Sequence, residues 1–468
     1  MDKGVDESDQ APVAGPGKES IYSTVNVGER LDNVPIYSFH RKVLGRVGIG
    51  EWFDNYDLYA VSYVLAALLA AHFLTLSQVG IVLAGQFSGM AAGSILLGIT
   101  ADRYGRRHLF LWTLLAYSIF TIILALSVNW QMMTIARFFA GAAMAAQYIL
   151  VDTYLGETIP KAKRGKYVVY AYTIGFTAAT TVAFISFLLV PRTFFLAGWR
   201  WVFLIGGFGA LLFWPLVRKL TETPRWYELK GEYEKADRLV KDIELGAAAE
   251  LNITLPPVKT DTKVEKETKV PLKEAFSGKY GKRLLGMSII QFMQSIGYFG
   301  FASFTATILV TRGFTITHAL FYSFLIAIFI PIGGYVGSLF AEVFQRRWQI
   351  GILSLLVAAD GLAFAYSPTI VLIVITGVIL SILTNWYSPV IHAYQEEMFP
   401  TRIRASAGGF GYAMSRVSGA LSSYIIAYLL MRSVQDVFIF VGSVMVVIFI
   451  TVIFMPNSNK MELEKVAS

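Results

Sequence analysis

The chain has 468 residues, of which 55% are hydrophobic and only 15% are charged, well below the ~25% charged residues of soluble domains. It carries a formal net charge of +8 at pH 7 and contains no cysteine, which excludes disulfides and cysteine-ligated metals. This composition argues against an ordinary soluble domain and favours a membrane protein, whose basic loops explain the charge without a nucleic-acid partner.

Apolar stretches dominate the chain after a polar start. The first 40 residues are rich in Gly, Pro, Ser and charge, which predicts a disordered tail. Twelve stretches that follow are long enough to cross a bilayer as helices. They are roughly residues 47–73, 79–101, 109–127, 131–157, 166–190, 199–217, 284–311, 318–341, 348–366, 369–395, 405–431 and 434–455, numbered here spans 1 to 12. The sequence therefore predicts an all-α membrane protein of two six-helix bundles.

The loops between the spans predict the domain boundaries and the orientation. We divide the chain into a disordered tail (1–40), an N-terminal bundle (41–218), a central loop with short helices (219–283), a C-terminal bundle (284–456) and a second tail (457–468). Lys and Arg cluster after spans 2, 4, 8 and 10, whereas the opposite loops carry single arginines. The positive-inside rule predicts that both termini and the central loop are cytoplasmic, with the protein in the plasma membrane.

Two short loops repeat the same pattern in the two halves. Residues 98–107 read GITADRYGRR after span 2, and residues 337–347 read GSLFAEVFQRR after span 8. Glu157 and Arg164 follow span 4 as Glu397 and Arg404 follow span 10. Charges at such helix ends predict salt bridges that control opening of the cytoplasmic side, or else solvated helix ends. The candidate gating residues are Asp102, Arg103, Arg106, Arg107, Glu157, Arg164, Glu342, Arg346, Arg347, Glu397 and Arg404.

These loops resemble the signature loops of the major facilitator superfamily of secondary transporters. The stretch Glu222-Thr-Pro-Arg-Trp-Tyr after span 6 resembles its sugar-transporter-like clan, over about residues 45–455. That clan holds sugar porters and carriers of organic ions, phosphate, aromatic acids and nicotinate. The resemblance implies two pseudo-symmetric bundles that rock about a central site.

Ionisable residues at membrane depth are candidates for function. At ~1.5 Å per residue, Asp57 in span 1 and Arg137 in span 4 lie at similar depth near the bilayer centre. The pair resembles the proton-coupling Asp–Arg pair of proton-driven sugar porters, although it could also only tie two helices together. Asp54 is either a proton relay toward the cytoplasm or an interfacial residue. The Asp-x-Tyr-Asp pattern is similar to span 1 of aromatic-acid, phosphate and nicotinate-like carriers.

Arg416 lies near the centre of span 11, where a substrate carboxylate or phosphate would satisfy it; Asp360 in span 9 is the alternative partner. The other substrate-binding candidates are amides and aromatic residues. They are Gln147, Tyr148, Gln291, Gln294, Tyr298, Asn385, Trp386 and Tyr387. Departures from the phosphate-carrier and sugar-porter patterns in spans 4 and 7 weaken both of those substrate classes.

We therefore expect a proton-coupled symporter of a small organic acid that works by alternating access. A proton-coupled or facilitative sugar transporter is the alternative, and a membrane sensor that binds solute without transporting it is more distant. No pattern for an enzyme, a cofactor or a metal site is present in the sequence. The expected partners are the solute, protons and the lipid bilayer, and a monomer suffices because both bundles lie in one chain.

Overall fold

The computed structural model describes residues 27–255, 276, 278–340, 344–399 and 401–457. The described N-terminal half and central loop comprise α1 (Val27–Asn33), α2 (Ser38–Ala70), α3 (Leu76–Tyr104), α4 (Arg106–Ala125), α5 (Trp130–Thr158), α6 (Lys161–Leu189), β1 (Thr193–Phe194), β2 (Leu196–Ala197), α7 (Gly198–Val217), α8 (Pro224–Leu229) and α9 (Tyr233–Leu251). The C-terminal half comprises α10 (Gly278–Ala302), α11 (Thr305–Thr311), α12 (Ile316–Ala327), α13 (Ile330–Phe340), α14 (Arg346–Tyr366), α15 (Ile370–Met398), α16 (Thr401–Leu430) and α17 (Val434–Ile453).

The predicted all-α fold is confirmed. Spans 1 to 6 are α2 to α7, span 7 is α10 with α11, span 8 is α12 with α13, and spans 9 to 12 are α14 to α17. In the described part of the chain, nine helical segments are long and apolar enough to cross a membrane by composition. The long helices α2, α3 and α16 complete the twelve spans of this multi-pass membrane protein. The antiparallel pair β1 and β2 is a short turn before α7.

Span 8 is broken at a proline. Pro331 has no backbone N–H, so the carbonyl oxygen of Ala327, four residues earlier, loses its helical donor. The hydroxyl of Thr180 on α6 donates to that oxygen at 2.8 Å. The break therefore supplies one of the hydrogen bonds that join the two bundles.

Glycines set how closely the helices of each bundle approach. Gly85, Gly89 and Gly93 lie one turn apart on α3; a Cβ at Gly89 would come within 1.9 Å of the carbonyl oxygen of Phe138 on α5. In the other half, a Cβ at Gly333 on α13 would lie 2.7 Å from the carbonyl oxygen of Ile382 on α15. Such small-residue stripes let membrane helices pack backbone against backbone.

The tight contacts between the two bundles lie far from the end of the molecule that carries the basic loops. We call that end the basic face; it carries the loops at 103–107, 159–166 and 344–347. Away from it, a Cβ at Gly80 on α3 would lie 2.9 Å from the carbonyl oxygen of Ser423 on α16. A Cβ at Gly419 would lie 2.8 Å from the ring of Phe87. These contacts close the molecule on the side opposite the basic face.

The structure differs from the prediction for the end of the first tail. Residues 27–33 form α1, and Val27, Leu31 and Val34 pack on apolar residues of α9 that include Val240. Arg30 bonds to Asp237 at 2.7 Å and to Glu244 at 2.6 Å. The prediction of disorder through residue 40 was wrong here because the apolar partner lies some 200 residues away, in the central loop. Residues 1–26 lie outside the described residues.

Candidate functional site

A fully buried ion pair joins span 1 to span 4. Arg137 on α5 and Asp57 on α2 are both 0% exposed, and the guanidinium contacts the carboxylate directly. Its second terminal nitrogen donates to the backbone carbonyl of Asp57 at 3.0 Å, and Thr121 on α4 donates to the carboxylate at 3.3 Å. Asn129 caps the start of α5, and its side chain accepts a hydrogen bond from the backbone N–H of Met132. Because this cap fixes where α5 begins, it also fixes the height of Arg137 along the helix.

The other carboxylates of span 1 have weaker partners. The amide of Gln147 lies 2.8 Å from both carboxylate oxygens of Asp54, with its nitrogen toward them. Asn55 donates to one carboxylate oxygen of Glu51 at 2.9 Å. Asp54 and Glu51 are both 0% exposed. Gln147, predicted to bind substrate, is therefore occupied by Asp54 in this arrangement.

Polar side chains from both bundles meet near the middle of the molecule. The hydroxyl groups of Tyr59 on α2 and Tyr298 on α10 are 2.7 Å apart, and Tyr298 donates to Asn385 on α15 at 3.4 Å. The guanidinium of Arg416 lies 6.0 Å from the ring centre of Phe299, next to Tyr298. Tyr298, Asn385 and Arg416 of the predicted set are thus brought to one region.

Other predicted substrate residues are engaged in packing. Gln291 donates to Gln395 at 2.8 Å, and Trp386 stacks on Phe340 with ring centres 5.2 Å apart. Gln294 and Tyr387 are buried. The side chain of Tyr148 lies outside the described residues. Among the ion pairs of the described residues, Arg416 is not joined to Asp360, the alternative partner considered from the sequence.

A small cavity with a mixed polar and apolar lining adjoins the Tyr59–Tyr298 contact; Phe301, Ile326 and Ile330 are among its apolar residues. Its lining includes the hydroxyl-bearing side chains of Tyr63, Ser323, Ser381 and Thr384, and no charged residue among those described. Its volume, counted as the space open to the centre of a water molecule, is about 30 Å³. That is room for a few water molecules and not for an organic solute, so a central site is contracted in this arrangement.

The loop after span 2 is held by two different arginine contacts. Arg106 pairs with Glu157 at the end of α5 at 3.2 Å. Arg107 donates to the carbonyl oxygens of Leu220, at 2.6 Å, and of Arg218, at 3.1 Å, and so caps the end of α7. Arg103 lies over the ring of Tyr104.

The second half repeats both contacts. Arg346 pairs with Glu397 at the end of α15, and Arg347 donates to the carbonyl oxygen of Ile453 at the end of α17, at 2.5 Å. In each half the two partners of the ion pair are 51 residues apart in sequence. Both ion pairs join helices of the same bundle, so they stiffen each bundle and do not themselves cross between bundles.

Glu222 is a residue that the sequence analysis did not select. Its carboxylate accepts backbone N–H groups from Arg106 at 3.0 Å, Arg107 at 3.1 Å and Thr223 at 3.2 Å. Burial raises the pKa of Glu222 although these N–H groups favour its charged form. The backbone of Gly105 has φ of 98°, and a Cβ there would lie 2.3 Å from Glu222, so only glycine fits this loop. The signal available in the sequence was the Glu-Thr-Pro motif.

Arg164 is another of the predicted gating residues. Arg164 lies 3.7 Å from Asp32 near the end of α1, and Asp32 also accepts the backbone N–H of Lys161 at the start of α6. Arg164 therefore contacts the N-terminal segment and not Glu157. Glu342 and the side chains of Asp102 and Arg404 lie outside the described residues.

Comparison with known proteins gives the family. The family model for "Sugar (and other) transporter" matches residues 48–468. YyaJ of Bacillus subtilis (strain 168), described as a metabolite transport protein, is 30% identical over 93% of this chain and 96% of its own length. The niacin transporter NiaP of Acinetobacter baylyi (strain ATCC 33305 / BD413 / ADP1) is 27% identical over 86% of this chain and 90% of its own.

The fold also matches a solved structure. The xylose transporter XylE from E. coli, in a partially occluded inward-open conformation, aligns with a TM-score of 0.72 and 17% identity over 91% of this chain and 100% of that chain. This likeness concerns the fold alone. The chain belongs to the sugar (and other) transporter family of the major facilitator superfamily, and it is a membrane transporter and not an enzyme.

Proposed function

We propose that this protein is a proton-coupled symporter of a small organic acid, with an aromatic carboxylate favoured. The observation that carries the proposal is the Asp57–Arg137 ion pair, in which both side chains are 0% exposed. We propose that Asp57 carries the coupled proton and that its contact with Arg137 is broken and remade during the transport cycle. A movement that changes this contact therefore couples proton binding to the conformation of the bundles.

Arg416 supports an anionic solute. It projects from α16 near Phe299 and Tyr298, close to the contact between the bundles. A guanidinium there offers bidentate hydrogen bonds to a carboxylate, and the aromatic residues offer packing to a ring. The similarity to a niacin transporter points to the same class, because niacin is an aromatic carboxylic acid.

A sugar remains the second candidate, and one observation favours it. The cavity beside Tyr298 is lined by apolar residues together with neutral hydroxyl groups and the amide of Asn385, and these polar groups suit hydroxyl groups of a solute. Asp54 is proposed to relay protons, and the paired loops at the basic face are proposed to hold the helix ends of each bundle together there. By the positive-inside rule we assign the basic face and both termini to the cytoplasm of a plasma-membrane monomer.

Uptake into proteoliposomes tests this function. The purified protein is given benzoate, 4-hydroxybenzoate, nicotinate, glucose, xylose or phosphate, with and without an inward proton gradient. Accumulation of a carboxylate above equilibrium, only with the gradient, is the expected result. Equilibration of a solute regardless of the gradient would indicate a uniporter, and absence of any uptake would favour a sensor.

A further inference from the structure

Three carboxylates follow one another along α2 toward the basic face. Asp57, Asp54 and Glu51 are spaced three residues apart, so each is about 4.5 Å nearer to the basic face than the one before. All three are 0% exposed. Asp54 is within electrostatic range of both of the others.

The groups that balance the negative charge become weaker from Asp57 to Asp54 and from Asp54 to Glu51. Asp57 has a guanidinium, Asp54 has a neutral amide, and Glu51 has the Asn55 amide on one oxygen only. The other oxygen of Glu51, Oε2, is buried and has no hydrogen-bond partner among the described residues. A buried carboxylate oxygen left without a partner costs several kcal/mol, and binding a proton removes much of that cost.

The surroundings of Glu51 within its own bundle come from α5 and α6. Asp152 on α5 lies within electrostatic range and accepts the hydroxyl of Tyr172 on α6 at 3.0 Å. The backbone of α6 covers Glu51, since a Cβ at Gly175 would lie 2.7 Å from its Cγ. Because Tyr172 and Gly175 are one turn apart on α6, Asp152 and Glu51 meet the same stretch of that helix. Buried carboxylates placed in this way favour a shared proton.

A positive charge faces this pair from the other bundle. Arg416 on α16 acts electrostatically on Glu51, and also on His392 of α15, whose ring stacks on Tyr412. Because Arg416 moves with the C-terminal bundle, rocking of the bundles changes its distance from Glu51. The attraction of Glu51 for a proton therefore depends on the conformation of the transporter.

We propose that Glu51 and Asp152 form a second proton-binding site, which receives the proton of Asp57 through Asp54 and releases it at the basic face. The proton leaves the Asp57 carboxyl when Arg137 pairs with it, binds to Asp54, moves to Glu51 and departs to water. Over one cycle each carboxyl group passes on as many protons as it receives, so charge and protons balance. The inference rests on the proposed proton coupling and extends it to residues beyond the Asp57–Arg137 pair.

Proteoliposome transport with Glu51→Gln tests the second site. We expect gradient-driven accumulation to fall about tenfold or more, because the path to the basic face is interrupted. Counterflow exchange of solute, which needs no net proton movement, should stay within about twofold of the wild type. Glu51→Asp should restore accumulation with a shifted pH profile, which a merely structural role would not produce. Asp360→Asn is the matched control, since it removes an intramembrane carboxylate of the other bundle and should change neither activity.

Asp152→Asn provides an independent variant, and it carries the test if Glu51→Gln fails to fold. It should show the same loss of accumulation with exchange retained. If Glu51→Gln and Asp152→Asn both accumulate solute as well as the wild type does, the second site is overturned and the proposed function is not. A wild-type protein that equilibrates solute regardless of the gradient would overturn the proposed function, and this inference with it.

Discussion

Among single residues, Arg416 is the side chain proposed to bind a solute carboxylate. It is a half-buried cation at mid-membrane depth in α16, beside aromatic side chains of α10. Side chains of this kind are retained in membranes chiefly where a counter-anion meets them. The proposed function assigns a solute carboxylate to this cation.

Arg416→Ala should therefore lower the uptake of carboxylate solutes by about 10- to 100-fold, since it removes charge-assisted hydrogen bonds worth about 1.5–3 kcal/mol. Arg416→Lys should retain only part of the activity, because an ammonium group cannot bind a carboxylate in a bidentate manner. Initial rates of carboxylate and sugar counterflow are the measurement. Equal loss for every solute together with a lowered melting temperature would contradict a carboxylate site and indicate a structural role.

What the sequence predicted at the residue scale depended on spacing along a single helix. Counting the rise of spans 1 and 4 left ~6 Å of height between Asp57 and Arg137, within reach of an arginine side chain, and the structure brings them into contact. Counting could not show that Gln147 would turn to Asp54, because that depends on how α5 is rotated against α2. Glu222 was missed because its hydrogen-bond partners, Arg106 and Arg107, lie 116 and 115 residues earlier in the chain. Spacing along a single helix cannot reveal such distant partners.

At the scale of elements, α1 and α9 form a clasp outside the membrane, which we define as Val27–Asn33 packed on Tyr233–Leu251. Arg30 is its central ion-pairing residue, with a side chain 14% exposed between two carboxylates of α9. The sequence could not predict this clasp, since α1 is only seven residues long and has no stability as an isolated helix.

Arg30→Ala should open this clasp. Loss of two partly buried charge pairs, about 2 kcal/mol together, would raise the open population and the cleavage rate in α1 roughly 30-fold. Limited proteolysis of the purified protein measures this rate. Arg41→Ala is the matched control, because Arg41 is 69% exposed in its pair with Glu250 and should change the rate little. Unchanged cleavage in Arg30→Ala would contradict the clasp.

The two loop contacts at the basic face belong to the same scale. The sequence predicted repeated loops, and the structure shows Arg106–Glu157 and Arg346–Glu397 within separate bundles. Glu157→Gln and Glu397→Gln should each lower the melting temperature in detergent, by an amount worth about 1–3 kcal/mol, because each leaves a largely buried arginine without its carboxylate. The two effects should add, since the sites share no partner among the described residues. Strong non-additivity would indicate that the pairs interact across the bundles.

At the scale of the whole molecule, two bundles of six spans are pressed together on the side opposite the basic face. The fold could be predicted from the sequence because membrane-length apolar stretches and repeated loops are local signals. The relative position of the bundles could not, because it depends on contacts such as Tyr59–Tyr298 and Thr180–Ala327 between distant spans.

The most direct test of proton-coupled symport is Asp57→Asn in proteoliposomes, measured in two ways on one preparation. We predict that this variant, shown to be folded by monodisperse elution, exchanges solute in counterflow within about twofold of the wild type. Under an inward proton gradient it should accumulate no solute above equilibrium, since the side-chain amide that replaces the carboxylate binds no proton. Gradient-driven accumulation equal to that of the wild type would contradict the assignment of Asp57 as the coupling residue.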